Sequence, residues 1–124
     1  EIDTDGKVTI NKNLNRESIL VSKSNTIVTM FENIININNI RKKLPLSSYT
    51  KPQIFKINSK IYISTTDKDN NLVYLFDNNG NILEGFPIFG NTEIDMVYNN
   101  KSKSLKIIVG TYNNEISLIE IKIN

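Results

Sequence analysis

The chain has no cysteine and no histidine. The first absence excludes disulfides and thiolate chemistry, and it leaves the redox compartment unread. The second removes the usual general base, the commonest metal ligand and every histidine-containing triad. An excess of charge of one sign is lacking too. Fifteen basic and 13 acidic residues leave a net charge of +2, which gives no electrostatic argument for nucleic acid or an anionic membrane. No apolar run approaches the ~20 residues of a membrane span. No segment repeats its apolar positions every 3.6 residues over a helix length, so almost no helix is expected. The chain starts at Glu1 with neither a methionine nor a signal peptide. That reads as a piece of a longer precursor and leaves localisation open.

What is there is asparagine, isoleucine and lysine in quantity, within 124 residues. A chain of this size buries roughly two thirds of its unfolded surface in one domain. The stretch from Lys60 to Gly90 shows the pattern best. Lys60 to Thr65 alternates and is β-branched, as a strand should be. Asp67 to Asn71 is charged, amide-rich and free of apolar residues, so it reads as a hairpin loop. Leu72 to Phe76 is apolar at every position, which predicts a strand covered on both faces. Asn79-Gly80 is a type I′ hairpin signal. Ile82 to Phe89 then reads as a further strand, placed at an edge because Pro87 cannot donate to a ladder. With Pro52 to Ile57 in front, this makes a four-strand antiparallel meander.

The other expected strands are Lys7 to Ile10, Ser18 to Ser22, Thr26 to Phe31, Ile34 to Ile37 and Ile40 to Leu46. Glu93 to Tyr98, Leu105 to Thr111 and Glu115 to Ile123 complete the set. Leu105 to Val109, like Leu72 to Phe76, is expected to be an inner strand buried on both faces. Ser18, Pro52 and Glu93 therefore open similar units, 34 and 41 residues apart. The units span 16–50, 51–91 and 92–124, with 6–11 as an isolated outer strand. The first two carry a Pro-bearing fourth strand, Lys43 to Leu46 and Gly85 to Ile88, and the third stops after three. Asp5-Gly6-Lys7-Val8 sits like Asn79-Gly80-Asn81-Ile82. The expected fold class is all-β: about three consecutive four-stranded antiparallel meanders, in the manner of β-propeller blades.

The run YLFDNNGNILEGFPI, Tyr74 to Ile88, resembles the strand–turn–strand of bacterial quinoprotein-like and FG-GAP-like propeller repeats, where D-x-x-G-x-x-x-x-G-x-P is common. The run IIVGTYNNEISLIEI, Ile107 to Ile121, resembles their VGT-x-D-G-x-I strand pair, with Asn113-Asn114 in place of the usual Asp-Gly. The resemblance covers most of Pro52 to Ile123 and is weaker before it. It implies a propeller fold, the C-terminal portion of a larger ring and an extracytoplasmic setting. It implies fold more than function, because propellers host enzymes, sensors and scaffolds alike.

Three sets of residues invite a functional reading. Asp67, Asp69 and Asn71 have the spacing of an oxygen-rich calcium loop, as do Asp3 and Asp5 before Gly6 and Asp77, Asn79 and Asn81 around Gly80. No bidentate acid follows in Leu72 to Phe76, so backbone capping in turns is the preferred reading. Arg41-Lys42-Lys43 is too short and lacks the aromatic neighbours of a nucleic-acid patch. Lysine on an edge strand that blocks aggregation explains it better. Glu84, Glu93 and Asp95 offer carboxylates of the kind glycosidases pair, but nothing fixes their separation. Tyr62, Tyr74, Phe76, Phe86, Phe89 and Tyr98 are expected in the core, with a sugar- or peptide-stacking groove as the alternative.

No catalytic residue, cofactor or resident metal is assigned. The expected function is a non-catalytic propeller-type module for protein–protein binding or scaffolding. The alternative is part of a propeller enzyme, or of a ligand- or calcium-binding protein, with its active groups outside this chain. The expected partners are another protein, the remaining blades of a larger chain, or a second copy. Neither nucleic acid nor a membrane span is expected. Lys7 to Ile10 is expected to pair with Glu115 to Ile123 or with a neighbouring chain. A phase change near Leu118 and Ile119 predicts a bulge in that last strand.

Overall fold

A computed structural model describes residues 2–3, 7–8, 18–111 and 113–123. Every regular element among them is a β-strand. Strands β1 (Ile2–Asp3) and β2 (Lys7–Val8) pair with each other. The first large sheet holds β3 (Ile19–Lys23), β4 (Thr26–Phe31), β5 (Ile34–Ile37) and β6 (Ile40–Lys43). The second holds β7 (Gln53–Ile57), β8 (Lys60–Asp67), β9 (Leu72–Asp77) and β10 (Ile88–Phe89). The third holds β11 (Asp95–Asn99), β12 (Ser104–Gly110) and β13 (Ile116–Lys122). Within each large sheet the strands lie in chain order and every neighbouring pair is antiparallel. The fold is all-β, with two four-stranded meanders followed by a three-stranded one.

The turns explain the wealth of asparagine. Ser24 and Asn25 join β3 to β4 with φ of 52° and 63°, and Asn38 and Asn39 join β5 to β6 with 48° and 75°. Two consecutive left-handed residues make the type I′ geometry that matches strand twist. Asparagine tolerates this region better than other side chains do. The Asn79-Gly80 signal does not give the same turn. Only Gly80 is left-handed there, at φ 82°. Asp77 takes over: its Oδ1 accepts from the amides of Asn79 and Asn81 at 2.9 and 3.0 Å.

The strand expected over Ile82 to Phe89 is mostly a loop. Ile82 makes a single bridge to Phe76. Gly85 then adopts φ 92°, and the Phe86 amide donates to the Leu83 carbonyl at 3.1 Å. A left-handed residue and a closed turn cannot continue a strand. Only β10 rejoins the ladder, at the edge beside β9. Two further expectations change. The described residues of the front strand pair with Ile2–Asp3 and not with β13, while Thr9 and Ile10 lie outside the described residues. Closing a hairpin over a few residues costs far less entropy than closing a loop of about a hundred. Nor does β13 bulge. Its register with β12 runs unbroken from Ser104↔Lys122 to Gly110↔Ile116.

The three sheets stack in chain order around two apolar layers. Val28, Met30, Ile35 and Ile37 of the first sheet pack with Ile54, Ile63, Tyr74 and Phe76 of the second. Tyr62, Val73 and Leu75 on the second sheet's other face pack with Met96, Leu105, Ile107 and Val109 of the third. The second sheet is thus buried on both faces, as the unbroken apolar run Leu72 to Phe76 requires. The run Leu105 to Val109 is different. Leu105, Ile107 and Val109 are buried, while Lys106 and Ile108 are half-buried on the far face. The middle strand of a sheet with no layer beyond it alternates in this way.

Candidate functional site

The loop proposed for calcium is a knot of internal hydrogen bonds. Asp67 ends β8 and is buried. Ser47 donates its hydroxyl to Asp67 Oδ1. Asn70 donates its amide to Oδ1 at 3.0 Å and its side-chain amide to Oδ2 at 2.9 Å. Asp69 Oδ2 accepts from the Ser48 amide at 3.1 Å and from Ser47 Oγ at 3.3 Å. Asn71 Oδ1 accepts from Asn91 Nδ2 at 2.6 Å. A hard cation needs several such oxygens converging on one point. Here the oxygens are taken up by protein donors, and Ser47 Oγ is shared between Asp67 Oδ1 and Asp69 Oδ2. Among the described residues no three acidic, histidine or cysteine side chains are grouped to hold a metal. Burial works against the charged form of Asp67, but the hydrogen bonds from Ser47, Asn70 and Asp69 outweigh it and hold the carboxyl below its usual range. In this loop and at Asp77 the carboxylate oxygens accept from turn and linker donors. Asp3 and Asp5 fall outside the described side chains.

What this knot does is join sheets. Ser47 and Ser48 lie in the linker from the first sheet to the second, and Asn91 lies in the linker from the second to the third. Each linker carries a threonine latch. Thr50 Oγ1 accepts from the Thr66 amide at 3.0 Å, and Thr92 Oγ1 accepts from the Gly110 amide at 2.9 Å. Thr66 and Gly110 occupy equivalent positions, six residues after the start of the second strand in successive sheets. The fourth strands are pinned alike: Leu44 donates to the Asn33 carbonyl at 2.8 Å, and Gly90 to the Asn71 carbonyl at 3.0 Å. Gln53 Oε1 also accepts from the Ile94 amide at 3.1 Å. None of these residues carries a motif. Thr50 and Thr92 each stand three residues before the first strand of the sheet that follows, which is the one signal that the sequence offered.

Of the carboxylates weighed for catalysis, Glu84 lies apart from Glu93 and Asp95. Glu84 lines a cleft of about 660 Å³ between the second and third sheets, with Lys60, Tyr62, Asp77 and Lys122. Glu93 and Asp95 line a separate depression beside Gln53 and Ile116. Tyr62 is largely buried at the cleft. Burial, Asp77 and Tyr98, in that order, raise its pKa, so the phenol stays neutral through the physiological range. The aromatic residues do not form a stacking groove. Tyr62, Tyr74 and Phe76 are buried in the two layers, with Tyr74 and Phe76 stacked at 6.4 Å and 15°. Phe89 is exposed at the edge.

The outer faces of the end sheets have another character. Leu20 and Ile27 on the first sheet are 56% and 53% exposed, and Ile116 and Leu118 on the third are 77% and 61% exposed. Val97 lies on the same face of the third sheet as these two and is also exposed. β13 is in addition a free sheet edge among the described strands. The basic run sits on the edge strand β6, with Arg41 and Lys43 exposed.

No family model, curated protein or solved structure matches this chain.

Proposed function

We propose that this chain is a propeller-type repeat module that binds protein through the outer faces and the free edge of its end sheets, without chemistry of its own. The observation that carries this is the placement of Leu20, Ile27, Val97, Ile116 and Leu118. They are large apolar residues exposed on two sheet faces. Apolar residues gathered on one exposed face mark protein contacts, whereas scattered ones do not. A strand edge adds main-chain donors and acceptors that an extended segment satisfies. The repeated linker latches hold the sheets in fixed order, as a scaffold needs. The resemblance of Tyr74 to Ile88 and Ile107 to Ile121 to propeller repeats supports the same reading.

The test uses a displayed library of extended peptides selected against the chain. The selected peptides should lose binding in the Ile116→Lys/Leu118→Lys or the Leu20→Lys/Ile27→Lys variant, and keep it in Tyr62→Phe and Glu84→Gln. Selection of no binder, or binding that depends on Tyr62 and Glu84 alone, overturns the reading and shifts attention to the cleft.

A further inference from the structure

We infer that the two outer faces bind each other, so that two copies of this chain associate head-to-tail. This rests on the protein-binding reading above and names the partner. The chain already uses one kind of inter-sheet contact twice. Thr26, Lys60 and Ser104 open the second strand of the three sheets. One, three and five positions later stand Ile61, Ile63 and Thr65 in the second sheet, and Leu105, Ile107 and Val109 in the third. Ile61 and Ile63 pack on the first sheet, and Leu105, Ile107 and Val109 on the second. The equivalent residues of the first sheet are Ile27, Thr29 and Phe31. They point the same way, but none of the three large sheets lies on that side, and Ile27 is exposed there.

The other set of positions behaves conversely. Val28 and Met30 of the first sheet, and Tyr62 of the second, point to the sheet that follows. Their equivalents in the third sheet are Lys106 and Ile108. Beside them on β13 are Leu118, opposite Ile108, and Ile116, opposite Gly110. Nothing among the described residues covers this face. Each inner contact thus joins the following face of one sheet to the preceding face of the next. Among the described sheets one half of each kind is left uncovered. A molecule carrying both halves of one contact is suited to a heterologous interface with its own kind, which closes into a ring or grows as a filament. Two copies bring six large sheets, within the roughly four to eight at which such stacks close.

The experiment is sedimentation velocity on the 124-residue chain over a concentration series. Two double variants are included, Leu20→Lys/Ile27→Lys and Ile116→Lys/Leu118→Lys. A milder pair with threonine at the same four positions keeps the strand propensity in case lysine disturbs folding. Circular dichroism checks each variant. The wild type should form dimers, each double variant should be monomeric, and an equimolar mixture of the two should regain a dimer, because one intact face of each kind remains. A wild type that is monomeric at every concentration overturns the inference. So does a double variant that still dimerises alone, since that means a face pairs with itself. A monomeric wild type whose end faces still bind the selected peptides removes the second copy as partner and leaves the protein-binding reading standing. If the peptides fail as well, both fall.

Discussion

The second and third sheets are built on the same plan and differ in what covers them. In the second, β9 has apolar side chains on both faces, and Val73, Leu75 and Phe76 are all buried. In the third, β12 is equally central, yet it alternates between buried Leu105, Ile107 and Val109 and half-buried Lys106 and Ile108. The difference teaches that burial here is a property of position in the stack and not of the strand. A sheet between two layers needs apolar side chains at every position; a sheet at the end needs them at every second one. The apolar residues that the third sheet nevertheless keeps on its outer face, Ile116 and Leu118, are therefore surplus to the fold of this chain.

The comparison breaks most sharply by truncation. Phe76→Ala, in the doubly covered sheet, should cost about 3–5 kcal/mol of unfolding free energy. Ile116→Ala should cost no more than about 0.5 kcal/mol, because the side chain is mostly solvated already. Urea unfolding at a concentration low enough for monomers measures both. Comparable losses would mean that the outer face of the third sheet is packed after all.

The next largest effect lies in the linker between these sheets. A Cβ on Gly90 would stand 2.7 Å from Val109 Cγ2 and 2.8 Å from Val73 Cγ2, one valine from each sheet. Gly90→Ala should cost about 2 kcal/mol through this overpacking. Gly85 has φ 92° but nothing within 4 Å of an added Cβ, so Gly85→Ala should show only the backbone penalty, about 1–2 kcal/mol. Relief by Val109→Ala in the Gly90→Ala background, and none in the Gly85→Ala background, separates the two causes in thermal melts.

A smaller effect, with a pH signature, comes from Asp67. Its folded pKa lies below the ordinary range of an aspartate carboxyl. The folded state therefore binds this proton less readily than the unfolded chain does. The resulting stability is fully present above about pH 4 and is lost as pH falls through the lower folded value. Asp67→Asn should lower stability at neutral pH by about 1.5 kcal/mol through weakened hydrogen bonds to a charged acceptor. It should also flatten the acid limb of the stability curve. An unchanged acid limb would show that the carboxylate is not what holds the first linker to β8.

Smallest are the latches. Thr50→Val and Thr92→Val each remove one acceptor of a strand-end amide, a loss of about 1 kcal/mol. The two should be alike, since the contacts are equivalent at 3.0 and 2.9 Å. A large inequality would mean that the two inter-sheet joints are not built alike.

Most of the strands were legible because two local signals agreed. Period-two alternation marked β8, apolar runs marked β9 and β12, and amide-rich breaks separated the strands. The internal similarity of the units gave the meander order as well. What misled was any feature whose outcome depends on distant partners. Asn79-Gly80 reads as a type I′ turn, but the carboxylate of Asp77 captures the turn amides first. Ile82 to Phe89 has strand residues, but Gly85 turns the chain out of the ladder. The apparent phase change in Glu115 to Ile123 was apolar surplus on an open face, which no single strand can reveal. The candidate site was legible only as a warning: Asp67, Asp69 and Asn71 do act together, but their partners Ser47, Ser48 and Asn91 come from linkers some 20 residues away in sequence.

The central claim is that the second sheet is the shared core and the third is covered on one face. Residue-resolved hydrogen exchange tests it most directly, measured on the Leu20→Lys/Ile27→Lys variant so that association adds no protection. The amides of β8 and β9 should exchange slowest, near the rate set by global unfolding. The β13 amides that point away from β12 should exchange fastest among the strands. Protection of those β13 amides equal to that of β9 would contradict the account.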